Sequence, residues 1–290
     1  MNMTEIVSWL ICPVTDRLLD FVRVRKFLKH YNGTEDEEIE EIMEYVQKKK
    51  QLRVFNYPFV EKYKKISCTV CKDRENRYYI PYNNHKMYFK RDMPKRFISY
   101  YFRVMMMEQD LESPHRYLTD DFTVADDSIV VDAGVAEGNF SLAIVDKVQK
   151  IILVECDESW IEALQKTFYA ELENGKIEII PKKLGKACSE DTVSLDYLYK
   201  KYGRIDLVKM DIEGSEQDAL QGGGDWLLSD SKKKLVVCTY HTPTAYADIR
   251  NILNDRFVIK HSKGYMHWHQ MFNFKPPYVR RGVIRAEQRE

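Results

Sequence analysis

The chain has 290 residues, with 45 Lys and Arg against 45 Asp and Glu, so its formal charge is zero. That balance removes any general case for nucleic acid or anionic lipid as partner. No stretch approaches the roughly twenty apolar residues of a membrane span. The start, "MNMTEIVSWLICPVTDR", lacks the basic head and long apolar run of a secretory signal. Six cysteines in so long a chain fit reduced thiols better than a disulfide framework. A soluble cytoplasmic protein is the expectation.

In chain order, residues 1–60 read as a helical accessory region. "TDRLLDFVRVRKFLKHYNG" opens on the capping candidates Thr15 and Asp16 and closes at Asn32-Gly33. A second helix is expected from Thr34, with Glu37 at capping-box spacing and Ile39, Ile42, Met43 and Val46 on one face. Its acidic start and its basic end, Lys48 to Lys50, suit the helix dipole. Residues 61–120 form a hairpin and helix leading into the core: "KISCTVCKD", "RYYIPY" and "KMYFKR" read as short strands, and 94–111 as a helix with Pro94 in its first turn. Cys68 and Cys71 make one C-x-x-C without a second ligand pair, so ordinary packing is favoured over zinc.

From 128 on, strands and helices alternate. The strands are "SIVVDAG", "KIILVECD", "KIEIIPKKL", "RIDLVKMDIEG" and "KLVVCTYHT"; the helices are "NFSLAIVDKV", "SWIEALQKTFYAEL", "TVSLDYLYKKYG", "EQDALQGGGDWLL" and "AYADIRNILND". Near-continuous Val/Ile/Leu strands between helices mean a parallel sheet covered on both faces. "RFVIKHSKGY" and "HQMFNFKPP" read as closing strands, antiparallel to the rest. The fold class is therefore α/β, a doubly wound Rossmann-like sheet over 121–290.

Ligands of such sheets bind beyond the carboxyl ends of the strands. The first strand ends "VDAGVAEGNFS", giving Asp132, Gly134, Glu137 and Gly138, with Asn139 and Phe140 opening the next helix. The spacing departs from G-x-G-x-x-G. An acid before the first glycine suits a cationic ligand better than a pyrophosphate, and S-adenosylmethionine carries a sulfonium and an ammonium. Glu155, followed by Cys156, stands about twenty residues on, where an acid accepts ribose hydroxyls. Leu184 and its neighbours are placed to flank an adenine. The fourth strand ends "VKMDIEGSE", three acids around one glycine.

"VVDAGVAEGNFSL", "VECD" and "LVKMDIEGSE" together resemble the FkbM family of class I methyltransferases, over about residues 105–275. Its D-[IV]-E-G-x-E element is matched by Asp211, Glu213, Gly214 and Glu216. The resemblance implies S-adenosylmethionine as cofactor and methylation of a hydroxyl on a sugar, glycan or secondary metabolite. A small-molecule or glycan acceptor is the partner so implied.

An O-methyltransferase positions its acceptor and removes a proton. Asp211 is the first choice for that base and His241, in "CTYHT", the second; the cap and core readings of each stay open beside these. Gln109, His115, Arg116 and Tyr117, ahead of the first strand, are expected over the donor pocket, with Glu213 and His269 of "MHWHQ" as further acceptor contacts. Glu213 and Glu216 also read as acids opening a helix. No metal ligand set is assigned, and dependence on a divalent ion is left open. The N-terminal third reads as an acceptor-recognition or homodimerisation module. Two other functions compete, a nicotinamide-dependent sugar oxidoreductase and a non-catalytic nucleotide-binding regulator.

Overall fold

The computed structural model describes residues 15–268 and 274–289. Helices α1 (Thr15–Tyr31) and α2 (Glu37–Lys49) come first, and Ile39, Ile42 and Val46 of α2 are buried as the spacing predicts. The cap of α2 is Asp36 rather than Thr34: its carboxylate accepts the N–H groups of Glu38 and Ile39. A 3-10 segment, Pro58–Lys65, leads to a small antiparallel sheet of β1 (Cys71–Lys72), β2 (Tyr78–Tyr82) and β3 (His85–Tyr88). Helix α3 (Lys95–Glu108) follows, with Pro94 at its N-cap.

The large domain runs β4 (Ile129–Ala133), α4 (Asn139–Ile144), β5 (Lys150–Val154), α5 (Glu158–Thr167), α6 (Tyr169–Glu173) and β6 (Ile177–Ile180). Then come β7 (Lys183–Gly185), β8 (Thr192–Ser194), α7 (Leu195–Tyr202), β9 (Leu207–Met210), α8 (Glu216–Gln221), α9 (Gly224–Leu228) and β10 (Lys234–Cys238). It closes with α10 (Ala245–Leu253), β11 (Phe257–His261), β12 (Tyr265–Met266), β13 (Arg280–Arg281) and β14 (Val283–Gln288). The seven-stranded sheet has the order β11-β14-β10-β9-β4-β5-β6. Pairings among β6, β5, β4, β9 and β10 are parallel, and β14 is antiparallel to both β10 and β11.

Three expectations are corrected. "KIEIIPKKL" is two strands, β6 and β7, divided at Pro181, which has no N–H for a ladder; β7 pairs with β8, the stretch expected to open a helix. "EQDALQGGGDWLL" is two short helices, because Gly222 lies against β7: a Cβ there would sit 2.4 Å from the Gly185 carbonyl oxygen. The second closing strand of the large sheet is β14, and of "HQMFNFKPP" residues 269–273 lie outside the described residues. Residues 274–277 of that stretch carry no strand, and Pro276 and Pro277 offer a ladder no donors.

The two-residue period of the strands sends neighbours to opposite faces. On one face Val130, Ile151, Leu153 and Val236 share a core with Phe27, Ile42, Ile80, Met87 and Phe97, so the N-terminal helices and hairpin cover the sheet. Val131, Ile152, Val208, Leu235 and Trp226 fill the other face. Buried Arg77 ties the hairpin down through Glu162 (2.5 Å), and Lys90 does so through Asp157 (2.5 Å). Strand order reverses between β4 and β9, and the crevice at such a reversal is where ligands of open α/β sheets bind.

Candidate active site

Strand β9 is buried along its whole length, and the chain turns as soon as it passes Met210. The Asp211 N–H donates to the Ala133 carbonyl (3.1 Å), and positive φ at Glu213 (58°) and Gly214 (99°) closes the turn into α8. Asp211 is thereby delivered to the crevice mouth, its side chain still 18% exposed. Its Oδ2 accepts the Tyr117 hydroxyl (2.8 Å) and lies 3.4 Å from His115 Nε2. Its Oδ1 accepts the Tyr240 hydroxyl (3.1 Å) and lies 3.3 Å from His241 Nε2. Four groups from the approach segment and from the end of β10 thus converge on one carboxylate.

The loop after β4 packs against this turn. Gly134 has φ 70°, and a Cβ on it would fall 1.8 Å from the Asp211 carbonyl oxygen, so only glycine fits. Glu155 braces the same loop: Oε2 accepts the N–H groups of Val135 and Ala136, and Oε1 those of Cys156 and Asp157. Asp132 is fully buried, accepting the Ser141 hydroxyl (2.7 Å) and pairing with Lys209 Nζ (3.0 Å). Lys209 also donates to the Gly134 carbonyl (2.6 Å), clamping the loop from below. Glu137 is buried and accepts the Tyr101 hydroxyl (2.7 Å).

The electrostatics follow from this crowding. Burial pushes the Asp211 carboxyl up, but the hydrogen bond and charge of His115, with the charges of His241 and Lys209, outweigh it and hold the group well below the usual carboxylate range. Burial pulls His241 down, but Glu216, Asp211 and Glu213 raise it on balance. Burial raises Glu137. Burial, with the charges of Glu137 and Asp211, raises the half-buried Glu108 to about 7.

The residues singled out in the sequence distribute unevenly. His115, Tyr117, Asp211 and His241 come together. Phe140, at the start of α4 beside Asn139, packs edge-on against Tyr117 with ring centroids 5.7 Å apart. Gln109 supports this group, its Oε1 accepting the Tyr117 N–H (3.2 Å). Arg116 turns away, donating to the Leu118 carbonyl. Leu184 is packed in the core with Val193 and Leu195, and Cys156 is exposed beyond Glu155. Gly138 caps α4 in a left-handed conformation. Glu213 is 52% exposed at the rim, and His269 lies outside the described residues.

Lys209, Tyr240, Glu108 and Trp268 escaped the sequence reading. A lysine inside an otherwise apolar buried strand was the available signal for Lys209. Trp268 sets its ring edge-on to His241, centroids 5.3 Å apart, and 4.9 Å from Tyr240, forming an aromatic wall.

A sheet of this order, with a glycine loop after β4 and acids at the ends of β5 and β9, defines a Rossmann-like methyltransferase. The chain belongs to the methyltransferase FkbM domain family, whose family model matches residues 118–265. None of the curated proteins compared with it matches. Among solved structures it is similar to a methyltransferase FkbM from Methylobacillus flagellatus KT, at 23% identity and TM-score 0.44, over 59% of this chain and 46% of that one. The chain thus spans less than half of that relative. It is also similar to SMU.1697c of Streptococcus mutans, solved in complex with SAH, at 13% identity and TM-score 0.35, over 57% of this chain and 90% of that one. Trm5b from Pyrococcus abyssi matches at 12% identity and TM-score 0.40, over 73% of this chain and 55% of that one. Among the described residues no helix is long and apolar enough to cross a membrane.

Proposed function

We propose that the chain is an S-adenosylmethionine-dependent O-methyltransferase that modifies a hydroxyl of a sugar, glycan or secondary metabolite. The observation that carries this reading is Asp211, held anionic at the crevice mouth by Tyr117, Tyr240, His115 and His241 beside the glycine loop. The acids Glu108, Glu137 and Asp211 around that loop fit a cationic methyl donor. The balanced charge of the chain supports a small acceptor in preference to nucleic acid.

The cofactor, when bound, supplies an activated methyl group. The chain's own work is then positioning and proton removal. The glycine loop and Glu155 would hold the donor, with Asn139 and Phe140 closing the helix side. Tyr117, Tyr240 and Trp268 would form the walls against which the acceptor lies. Asp211 would accept the hydroxyl proton. A low pKa does not disqualify it, because an alcohol oxygen gaining a methyl group becomes strongly acidic, and a carboxylate that stays ionised is a competent acceptor.

Thermal-shift titration tests the cofactor: S-adenosylhomocysteine should stabilise the protein and NAD(H) should not, by about 2.7 kcal/mol at a hundredfold excess over Kd. No shift at millimolar S-adenosylhomocysteine removes the reading. Asp211→Asn should keep that shift and lose methyl transfer to a screened hydroxyl acceptor. Full transfer by the variant removes Asp211 as proton acceptor.

A further inference from the structure

Behind Asp211 the side chain of His241 is only 2% exposed, and its two ring nitrogens have different surroundings. Nδ1 lies 2.8 Å from Glu216 Oε1, an oxygen that also accepts the Ile212 N–H (3.1 Å). An oxygen already accepting one N–H faces Nδ1 as an acceptor, which places a proton on Nδ1 and turns Nε2 outward. Nε2 has no hydrogen-bond partner although it is buried. It points between Asp211 Oδ1, at 3.3 Å, and Glu213 Oε2, at 3.9 Å, without the alignment of a hydrogen bond to either. A neutral ring would set the Nε2 lone pair against two carboxylate oxygens, so positive charge belongs at this point, carried by the imidazolium proton or by a bound cation that replaces it.

We propose that His241 Nε2, Asp211 Oδ1 and Glu213 Oε2 bind a divalent cation of the Mn²⁺ or Zn²⁺ type. Two ligand atoms on one such ion, with bonds of about 2.1 Å, stand roughly 3.0 to 3.4 Å apart. The His241–Asp211 spacing already falls in that range, and Glu213 Oε2, 3.9 Å from Nε2 at the rim, is the carboxylate placed to supply the third ligand. One imidazole and two carboxylates form a borderline-hard set that suits these ions. Glu216 is the carboxylate that fixes the tautomer of a metal-bound histidine, a recurring companion of such ligands. Oδ1 keeps a lone pair for the ion beside the Tyr240 bond. Acceptor oxygens would take the remaining positions on the ion. That last role rests on the methyltransferase reading; the cation site itself does not. Among the described residues two groupings bring ligand atoms within 4.8 Å of one another, Asp211 with Glu216 and His241, and His115 with Asp211 and Cys238. In the first, Glu216 Oε1 is engaged by His241 Nδ1 and the Ile212 N–H, and in the second His115 Nε2 already faces the Tyr240 hydroxyl at 3.1 Å.

The test uses the full chain, stripped with EDTA, dialysed, and titrated with Mn²⁺ alone by electron paramagnetic resonance, with Zn²⁺ as competitor. One equivalent per chain should bind. His241→Gln and the rim variant Glu213→Gln should each weaken binding at least tenfold, and Glu216→Gln by about 10- to 100-fold. Cys238→Ser should leave it unchanged. No stoichiometric binding by millimolar Mn²⁺ or Zn²⁺ overturns the proposal, as does undiminished binding in both ligand variants, or loss of binding in Cys238→Ser. Glu213→Gln keeps the test informative if His241→Gln fails to fold. The S-adenosylhomocysteine shift, measured on the same samples, separates the two readings. A retained shift without metal binding sinks only the cation site, and metal binding without a shift sinks only the methyltransferase.

Discussion

Lys209 and Asp132 form a buried ion pair, 3.0 Å apart, at the register where β9 faces β4. Each charge is stranded if the other is removed, and an unpaired buried carboxylate costs far more than a surface one. Lys209→Met should therefore destabilise the protein by about 3–5 kcal/mol in urea denaturation at neutral pH. Adding Asp132→Asn should recover part of that loss. A single variant within experimental error of wild type would show that the pair is solvated and the account wrong. The same lysine clamps the Gly134 carbonyl, so the single variant should also bind S-adenosylhomocysteine more weakly.

Gly134 is constrained twice, by φ 70° and by the Asp211 carbonyl that a Cβ would strike. Gly134→Ala should cost about 3 kcal/mol or more, combining left-handed strain with a forced separation of the loop from the β9 turn. The measurement is the denaturation midpoint, read with the S-adenosylhomocysteine shift. Loss of the shift in protein that remains folded would locate the damage at the loop.

Much of this architecture is legible in the sequence because the buried strands announce themselves. "SIVVDAG", "KIILVECD" and "KLVVCTYHT" are apolar runs with a single sensible reading, and their ends fix where Asp132, Glu155 and His241 fall. The failures share one physical cause, which is that periodicity says nothing of what a segment packs against. Only the approach of Gly222 to the Gly185 carbonyl breaks "EQDALQGGGDWLL". The pairing of β7 with β8, which buries Leu184 against Val193 and Leu195, is likewise set by packing that the sequence pattern does not announce. The site was half visible. Asp211 and His241 carry a motif and a strand end, whereas Tyr240, Trp268 and Glu108 reach the crevice from segments whose direction only tertiary packing sets.

Glu108 sits at the end of α3 facing Glu137, Asp211, His115 and Lys209, with its carboxyl raised to about 7. A carboxyl raised by folding binds its proton more tightly in the native state. Its stabilising contribution is complete below about 4.5, the ordinary value for Glu, and is lost as pH climbs through 7. Glu108→Gln should then be more stable than wild type at pH 8, by about 1–2 kcal/mol once partial exposure is discounted. Between pH 5 and 7 the stability of the variant should vary less steeply. Parallel stability curves for the two proteins across that window would rule the mechanism out.

The last element to join the site is the closing strand. Arg285, buried in β14, donates from Nε to the Tyr117 carbonyl (2.9 Å) and from Nη2 to the Arg116 carbonyl (2.5 Å). These bonds pin the approach segment so that the Tyr117 hydroxyl meets Asp211. Arg285→Met should cost about 2–3 kcal/mol, since two buried carbonyls lose charge-assisted donors. Its specific signature should be faster amide exchange over residues 113–118, with the S-adenosylhomocysteine shift kept after correction for overall stability. Arg285→Lys supplies one donor in place of a fork and should fall between wild type and Arg285→Met. Uniform acceleration of exchange across the sheet, with no excess at 113–118, would make Arg285 an ordinary core residue and leave Tyr117 positioned by Gln109 and its own packing.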